Sequence, residues 1–177
     1  VAVDTRRNHI LITQTTRRRP DLQGEVLVFR PDGSIVDQNW MDWFISLLRW
    51  TRKWSRLTRP QHITVDRDGN ILVSDLCNHC VYVYNENGQF LFKFGGEGSG
   101  EGQLKYARGI CTDRAGNIIV ADRGNSRVEM FDKTGRFLKH IATGRTLRWP
   151  WGVAVGPQGQ LVVADQAEHA VHIIQSY

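Results

Sequence analysis

The sequence predicts an all-β fold, a β-propeller assembled from four-stranded antiparallel blades. Two observations carry this prediction. Short apolar runs bounded by glycine, asparagine and aspartate fill most of the chain, as expected for strands joined by tight turns. The same order of runs and turns then recurs at a spacing of roughly 45 residues, which is the period of a propeller blade. One such meander cannot bury both of its faces, so the copies are expected to stack.

The clearest copy lies between Arg108 and Ile141. Each of its four apolar runs is short enough to be one strand, and the predicted strands are Gly109–Thr112, Ile118–Ala121, Val128–Phe131 and Phe137–Ile141. The turns between them start with an aspartate and contain a glycine, a pairing that favours an Asx-type start followed by a positive φ. This segment therefore predicts one complete blade.

Three further copies complete the predicted organisation. Two close copies run from Pro60 to Phe94 and from Pro150 to Ile174. A weaker copy opens the chain, with predicted strands Val1–Asp4, Ile10–Thr13, Val26–Phe29 and Ser34–Val36 and a long connection at Thr15–Gly24. The arginine run Arg17–Arg19 in that connection is either a solvated loop or a phosphate contact. The predicted blades span residues 1–39, 60–95, 107–142 and 149–177.

A tryptophan-rich insertion separates the first two blades at residues 40–58. At about 100° per residue, its tryptophans, leucines and phenylalanine fall on one side and its arginines and lysine on the other, which predicts an amphipathic basic helix. Three roles are open to this helix: a cap packed on the propeller, a surface for a protein or RNA partner, or an element lying at a membrane interface.

The repeats resemble the NHL repeat, which is named for an Asn-His-Leu triplet. Asn78-His79-Cys80 stands at that position, and Asn125-Ser126-Arg127 and Glu168-His169-Ala170 are degenerate versions. The flanking sequences also match, since D-x-x-G-N-I-x-V-A-D is followed by an apolar third strand and a G-x-F-L turn. The resemblance implies a six-bladed propeller, often the C-terminal module of tripartite-motif (TRIM-NHL) ubiquitin ligases and related RNA-binding regulators.

The sequence begins within a first-strand pattern and stops after a third-strand pattern. We therefore expect the ring to be closed by upstream blades of the same protein or by a second chain. A fragment left alone would expose sheet edges, which favours dimerisation or aggregation.

Charge, cysteine content and hydropathy limit the partners and the cellular compartment that we expect. The net charge is +5 and the pI about 9.4, which favours an acidic partner. Three cysteines without framework spacing favour a reducing compartment, and we expect a cytoplasmic protein. No apolar run approaches the roughly 20 residues that span a bilayer, so no membrane-spanning segment is expected.

Alternate turns of a meander project to the same side, which sorts the charged residues into two faces. The entrance face carries the segments that enter each first strand and the turns that join second and third strands; it receives most of the arginines. The opposite face carries the remaining turns and has mixed charge. The candidate RNA-binding residues on the entrance face are Arg59, Asn78, His79, Tyr106, Arg108, Arg123, Asn125, Arg127, Arg148 and Trp149.

These residue types suit single-stranded RNA. Bases stack on aromatic rings while arginines hold the backbone, and amide and imidazole groups can bond base edges. In the RNA-binding proteins that the chain resembles, the corresponding face is the RNA site. The alternative for Trp149 and Trp151 is that they pack between blades.

Catalytic and metal sites are not predicted. Cys77-Asn78-His79-Cys80 resembles a metal motif, but a structural zinc needs four ligands and the sequence holds no second pair. The aspartate repeated at Asp75, Asp122 and Asp165 is expected to accept backbone N–H bonds in its own turn. The glycine-rich segment at Gly95–Gly102 lacks the Lys-Ser/Thr of a phosphate loop. No cofactor is expected.

Three functions are therefore compared. We expect an RNA-binding propeller acting in post-transcriptional repression of mRNA, with a single-stranded or hairpin motif as ligand. The alternative is a protein-interaction platform that recruits substrates to an E3 ubiquitin ligase, whose activity would reside in an upstream region. A propeller enzyme is the third reading, because some relatives are lyases, and the lack of a metal-ligand cluster argues against it.

Overall fold

The structure is a computed structural model that describes residues 1–18, 21–36, 57–143 and 146–177, without the side chains of 16–18 and 21–23. Its strands form four antiparallel sheets. Sheet 1 contains β1 (Ala2–Asp4), β2 (His9–Arg18) and β3 (Asp21–Phe29). Sheet 2 contains β4 (Pro60–Val65), β5 (Ile71–Asp75), β6 (Cys80–Tyr84) and β7 (Phe90–Gly95).

The two remaining sheets repeat this plan. Sheet 3 contains β8 (Ala107–Thr112), β9 (Ile118–Asp122), β10 (Arg127–Phe131) and β11 (Phe137–Ala142). Sheet 4 contains β12 (Pro150–Val155), β13 (Leu161–Asp165) and β14 (Ala170–Ile174). Strands pair in chain order within every sheet, and a 3₁₀ turn at Arg123–Asn125 lies between β9 and β10. The prediction of an all-β propeller built from meander blades is confirmed.

The sheets stack face to face, and successive residues of a middle strand belong to different interfaces. In β9, Ile118 and Val120 pack towards sheet 2, whereas Ile119 and Ala121 pack towards sheet 4. Both faces of the blade are buried, which explains why its strand is a continuous apolar run rather than an alternating one. A third cluster joins sheets 1 and 2.

The first strands of the four sheets lie nearest one another and line a central groove. Each sheet then runs outward from β1, β4, β8 or β12 to its last strand. This radial arrangement brings the segments that enter the first strands together around the mouth of the groove. It is therefore the feature of the fold that assembles a site from several blades.

The turns follow the chemistry that the sequence indicates. Asp113 Oδ1 accepts hydrogen bonds from the N–H groups of Ala115 and Asn117, both at 2.8 Å. Gly116 follows with φ +87°, a left-handed conformation that costs glycine little. In sheet 1 the corresponding turn uses Asn8, with φ 55°, and asparagine tolerates this region better than most residues.

The first blade departs from two predictions. The connection predicted at Thr15–Gly24 is wrong, because β2 and β3 continue as a hairpin whose pairing extends to Arg18 and Asp21. The β-branched Thr15 and Thr16 favour extended backbone there. The predicted strand Ser34–Val36 is reduced to an isolated bridge between Phe29 and Ile35.

The predicted amphipathic helix lies outside the described residues, except for its last two positions. Of these, Leu57 is buried and packs in the cluster between sheets 1 and 2. The side chains of the Arg17–Arg19 run also lie outside the described set. Over the ranges that the structure describes, no helix is both long and apolar enough to cross a membrane.

Candidate binding site on the entrance face

A buried aspartate ends the second strand of sheets 2, 3 and 4, at Asp75, Asp122 and Asp165, and organises the entrance face. Asp165 accepts hydrogen bonds from the N–H groups of Arg148 at 2.6 Å and Trp149 at 3.1 Å, which enter β12. It also accepts from Ala167 and Glu168 in the turn after β13. One carboxylate thus fixes both loops that reach this face, as expected for a structural rather than a catalytic acid.

The pKa values of the equivalent aspartates Asp165 and Asp122 shift in opposite directions. Burial alone would raise the pKa of Asp165, but its four backbone N–H donors outweigh that effect and hold the pKa below its usual value. Burial dominates at Asp122 and raises its pKa, although Lys105 N–H, Asn125 Nδ2 and Arg127 Nε all donate to the carboxylate.

Adjacent blades are tied together at equivalent positions just before the third strands. His79 Nδ1 accepts a hydrogen bond of 2.9 Å from Tyr106 N–H, and its ring lies 4.9 Å from the ring of Tyr106. Ser126 Oγ donates to the carbonyl of Arg148 at 2.5 Å. Both residues have left-handed backbone, with φ 53° and 54°. These contacts hold the backbone of Tyr106 and Arg148 against the preceding blade.

Two arginines stack on two tryptophans across the boundary between sheets 3 and 4. The guanidinium carbon of Arg108 lies 3.6 Å from the ring centroid of Trp151. That of Arg123 lies 4.6 Å from Trp149 and 5.9 Å from Trp151. Trp149 remains 48% exposed and Trp151 39%. Cation–π contacts of this kind fix both partners while leaving ring surface open to a ligand.

Sheet 2 contributes the third side of this cluster. Gln61 Oε1 accepts a hydrogen bond from Arg108 Nη1, and Arg59 lies close enough to influence the same guanidinium. The pKa of Arg108 is lowered to about 10 by burial, by the charge of Arg123 and by that of Arg59. We call Arg59, Gln61, Arg108, Arg123, Trp149 and Trp151 the rim cluster.

Nine of the ten predicted contacts are at least partly exposed, and six of these nine are arginine, tyrosine or tryptophan residues of the entrance face. These six are Arg59, Tyr106, Arg108, Arg123, Arg148 and Trp149. Arg148 is also the partner of Glu168, with 3.5 Å between its Nε and the carboxylate. The structure thus brings together Arg59, Arg108, Arg123 and Trp149.

The other four predicted contacts also form interactions within the protein; Asn78, His79 and Asn125 stay partly exposed and remain predictions, whereas Arg127 is buried. Asn78 Nδ2 donates to Thr58 Oγ1 and to Asp75 Oδ2, both at 3.1 Å. Asn125 Nδ2 donates to the carbonyl of Gly98 at 2.8 Å and to Asp122. His79 is occupied by the bond from Tyr106 described above.

Arg127 is buried, which corrects its predicted role as an RNA contact. It is 8% exposed and forms ion pairs with Asp122 at 2.8 Å and with Glu129 at 2.9 Å. Its remaining donors bond the carbonyls of Ser99, Gly100 and Gln103. Arg127 therefore clamps the glycine-rich segment onto sheet 3. The sequence signal was the Arg-x-Glu spacing, which puts two charges on one face of a buried strand.

Gln61 and Trp151 were not among the predicted contacts. Both occupy the second position of a first strand, as Arg108 does: Pro60-Gln61, Ala107-Arg108 and Pro150-Trp151. The same repeat position in three adjacent blades therefore forms a continuous line across the face. An alignment of the internal repeats contains this signal.

A cavity of about 570 Å³ opens on the opposite face. It is lined by turns of all four sheets, and its arginines link neighbouring turns. Arg6 Nη1 donates to the carbonyl of Arg67 at 3.2 Å, and Arg114 donates to the carbonyl of Pro157. Because these arginines alternate with aspartates, this cavity lacks the excess of positive charge found on the entrance face.

The cysteines of the metal-like motif are separated by their environments. Cys77 is exposed, Cys80 is buried, and neither is in a disulfide. Burial raises the pKa of Cys80 to about 11. Among the described residues, no three His, Cys, Asp or Glu side chains are grouped to hold a metal ion.

Comparison with known families agrees with this architecture. The model of a family described as 6-bladed beta-propeller matches residues 23–143, and the NHL repeat model matches residues 147–174. No curated protein matches the chain. The narrower resemblance to tripartite-motif proteins stays a prediction.

Solved structures share the fold at low sequence identity. A protein of unknown function from Bacteroides thetaiotaomicron VPI-5482 has a TM-score of 0.69 at 14% identity, over 96% of this chain and 45% of that one. One from Bacteroides caccae has a TM-score of 0.59 at 17% identity, over 97% and 54%. A catalytically inactive virginiamycin B lyase from Staphylococcus aureus, solved with quinupristin, has a TM-score of 0.60 at 10% identity, over 95% and 57%. The chain thus spans about half the length of these structures.

Proposed function

The chain belongs to the 6-bladed β-propeller family, and from this premise we propose that it is a binding module whose entrance face binds single-stranded RNA. The observation that carries the proposal is the rim cluster, in which two exposed tryptophans and three arginines from three blades meet. Stacking surfaces beside fixed positive charge are what single strands require.

The chemistry of the cluster favours a nucleic acid strand over a general anion. Guanidinium groups stacked on rings are held in place and donate in their own plane, which suits phosphate oxygens. The open area of Trp149 offers a surface on which a base can stack, worth about 1–3 kcal/mol. Arg148 and Tyr106 extend the same surface along the rim. Post-transcriptional repression of a bound mRNA in the cytoplasm is the biological setting that we propose for this activity.

A direct test measures binding of fluorescent RNA oligonucleotides by anisotropy over a series of salt concentrations. Each phosphate contact should contribute a slope of about −0.7 in log K against log salt. Trp149→Ala should weaken binding by roughly 5- to 150-fold, the equivalent of 1–3 kcal/mol. Arg123→Glu should weaken it further, because a repulsive charge replaces a contact.

The matched control is Arg67→Glu, an exposed arginine on the opposite face. It changes the net charge by the same amount as Arg123→Glu, so it separates the entrance face from overall charge. Equal losses in the two variants would refute the face assignment. Binding that neither responds to salt nor depends on Trp149 would refute the RNA proposal.

A second candidate function, protein binding, is favoured by a different observation. Sheet 4 exposes Val171 and Ile173 on its outer face, at 66% and 61%. An apolar sheet surface of this kind suits a protein partner, including the substrates of a ubiquitin ligase. Such a contact should persist at salt concentrations that remove RNA, and should be lost when these two side chains become charged.

A further inference from the structure

We propose that Arg59, Arg108 and Arg123 form a subsite for a phosphate monoester, which in an RNA strand bound on the entrance face is its terminal phosphate. The inference rests on the proposed function and deepens it, since it assigns one group of the ligand to one group of residues.

Like charges converge at Arg108, and no acid of the described residues acts on its guanidinium between them. Arg108 is half-buried, and the positive charges of Arg123 and Arg59 both act on it in addition to burial. The aspartates nearest in sequence are engaged elsewhere. Asp75 accepts from the backbone N–H groups of Thr58 and Arg59, and Asp122 is paired with Arg127. Charges of one sign held together in a partly dry site favour an anion.

Two guanidinium groups of the cluster have unused donors. The Nε atoms of Arg108 and Arg123 have no hydrogen-bond partner within the described parts of the chain. Buried polar atoms are normally paired, so two unpaired donors in one cluster show that neighbouring groups of the described chain do not saturate these guanidinium groups. The stacked rings of Trp151 and Trp149 keep both guanidinium planes in fixed orientations, which prepares them for a ligand at no further cost in side-chain entropy.

A terminal phosphate differs from an internal one in its charge and in its number of free oxygens. An internal diester carries one negative charge and two free oxygens. A monoester carries about −1.5 to −2 at pH 7 and has three acceptor oxygens. Three arginines therefore suit a monoester better than a diester, because the monoester brings more negative charge and one more acceptor oxygen. The next nucleotide would lie over the exposed part of Trp149, which borders the subsite.

The experiment compares one RNA oligonucleotide in three forms: 5′-phosphorylated, 3′-phosphorylated and without a terminal phosphate. We expect one phosphorylated form to bind wild-type protein about tenfold more tightly than the unphosphorylated form, a gain expected of charge-assisted hydrogen bonds. The preference should fall when the pH is lowered from 7.5 to 5.5, because the second pKa of the monoester is about 6.

Two variants locate the effect. Arg108→Gln and Arg123→Gln should each remove the preference for the phosphorylated form, whereas Arg67→Gln on the opposite face should keep it. Circular dichroism spectra establish that each variant is folded, and either one suffices if the other does not fold. A preference that survives in a folded variant of the subsite would overturn the proposal.

Failure of this inference is separable from failure of the proposed function. Equal binding of all three forms overturns the subsite and leaves RNA binding intact. If no oligonucleotide binds, the proposed function fails, and inorganic phosphate then decides the subsite. A change in tryptophan fluorescence on adding phosphate to the wild type but not to Arg108→Gln supports it, and the absence of any change overturns it.

Discussion

Glu129 is an acidic residue in an otherwise apolar part of the core. Its side chain is fully buried on β10. Its Oε1 lies 2.9 Å from Arg127 Nη2 and 3.2 Å from His140 Nδ1. Burial raises the pKa of Glu129 to about 8, and the charge of Asp122 adds to the effect against the opposing influence of Arg127. Two acids therefore share one buried guanidinium.

The elevated pKa predicts how stability depends on pH. The folded pKa exceeds the unfolded value near 4.5, so the proton stabilises the fold fully below that value, and this contribution is lost as pH rises through about 8. Glu129→Gln removes the titration. Between pH 7 and 9.5, above the usual range of histidine, the wild type should lose on the order of 1 kcal/mol of stability relative to Glu129→Gln, the value of about one pKa unit.

Urea unfolding at three pH values in this range measures the difference. The control is Glu86→Gln, since Glu86 is an exposed acid paired with Arg7 at 3.0 Å and should leave the pH profile unchanged. Parallel profiles for the wild type and Glu129→Gln would show that the buried carboxyl is already ionised at pH 7.

The outer turn of sheet 3 lies close against sheet 2, and this contact holds the two blades together. The turn between β10 and β11 contains Gly135, with φ +83°. A Cβ placed there would lie 2.8 Å from Phe94 of sheet 2. Phe94 in turn packs on Phe131 with 4.7 Å between ring centroids. The glycine therefore permits the aromatic contact between sheets 2 and 3.

A matched pair of alanine substitutions separates the two roles of this glycine. Gly116 has φ +87° but open space around a Cβ, so Gly116→Ala should cost only the strain of the left-handed backbone, about 1–2 kcal/mol. Gly135→Ala should cost about 1–3 kcal/mol more, because overpacking against Phe94 adds to the same strain. Thermal unfolding of both variants gives the comparison. Equal losses would mean that Phe94 moves aside freely.

The middle strands of sheets 2 and 3 could be predicted because both of their faces are buried and the turns beside them carry aspartate, asparagine or glycine. The hairpin of β2 and β3 could not, since polar residues such as Thr15 and Thr16 look like a connection unless their pairing is known. The residues of the candidate site also fall into those that the sequence could place and those that it could not. Turn alternation places Arg108 and Trp149 on one face, but it cannot tell whether Asn125 or Arg127 points outward or bonds its own loop.

At the scale of the whole molecule, the two faces of sheet 4 differ in their surroundings. The face carrying Val153, Leu161 and Val163 packs against sheet 3. The other face carries Val171 and Ile173, which pair across the sheet with Ala164 and Val162. The row is apolar and open to solvent. Burying a side chain of this type is worth about 1.5–3 kcal/mol. Association with another protein surface that covers this face is therefore favourable.

We expect the 177-residue chain to use a second copy of itself for this purpose when it is prepared alone. Sedimentation velocity at increasing concentration should show association, and the double variant Val171→Lys with Ile173→Lys should shift the protein towards monomer, because two charges would have to be buried in the contact.

Leu91→Lys is the control, since Leu91 is 46% exposed on the outer strand β7 and lies apart from this face. A monomeric wild type at high concentration would contradict the expectation, and equal behaviour of the double variant and Leu91→Lys would move the contact away from sheet 4. RNA binding should be unchanged in the double variant, because the rim cluster depends on the loops that enter β4, β8 and β12 and not on the outer face of sheet 4.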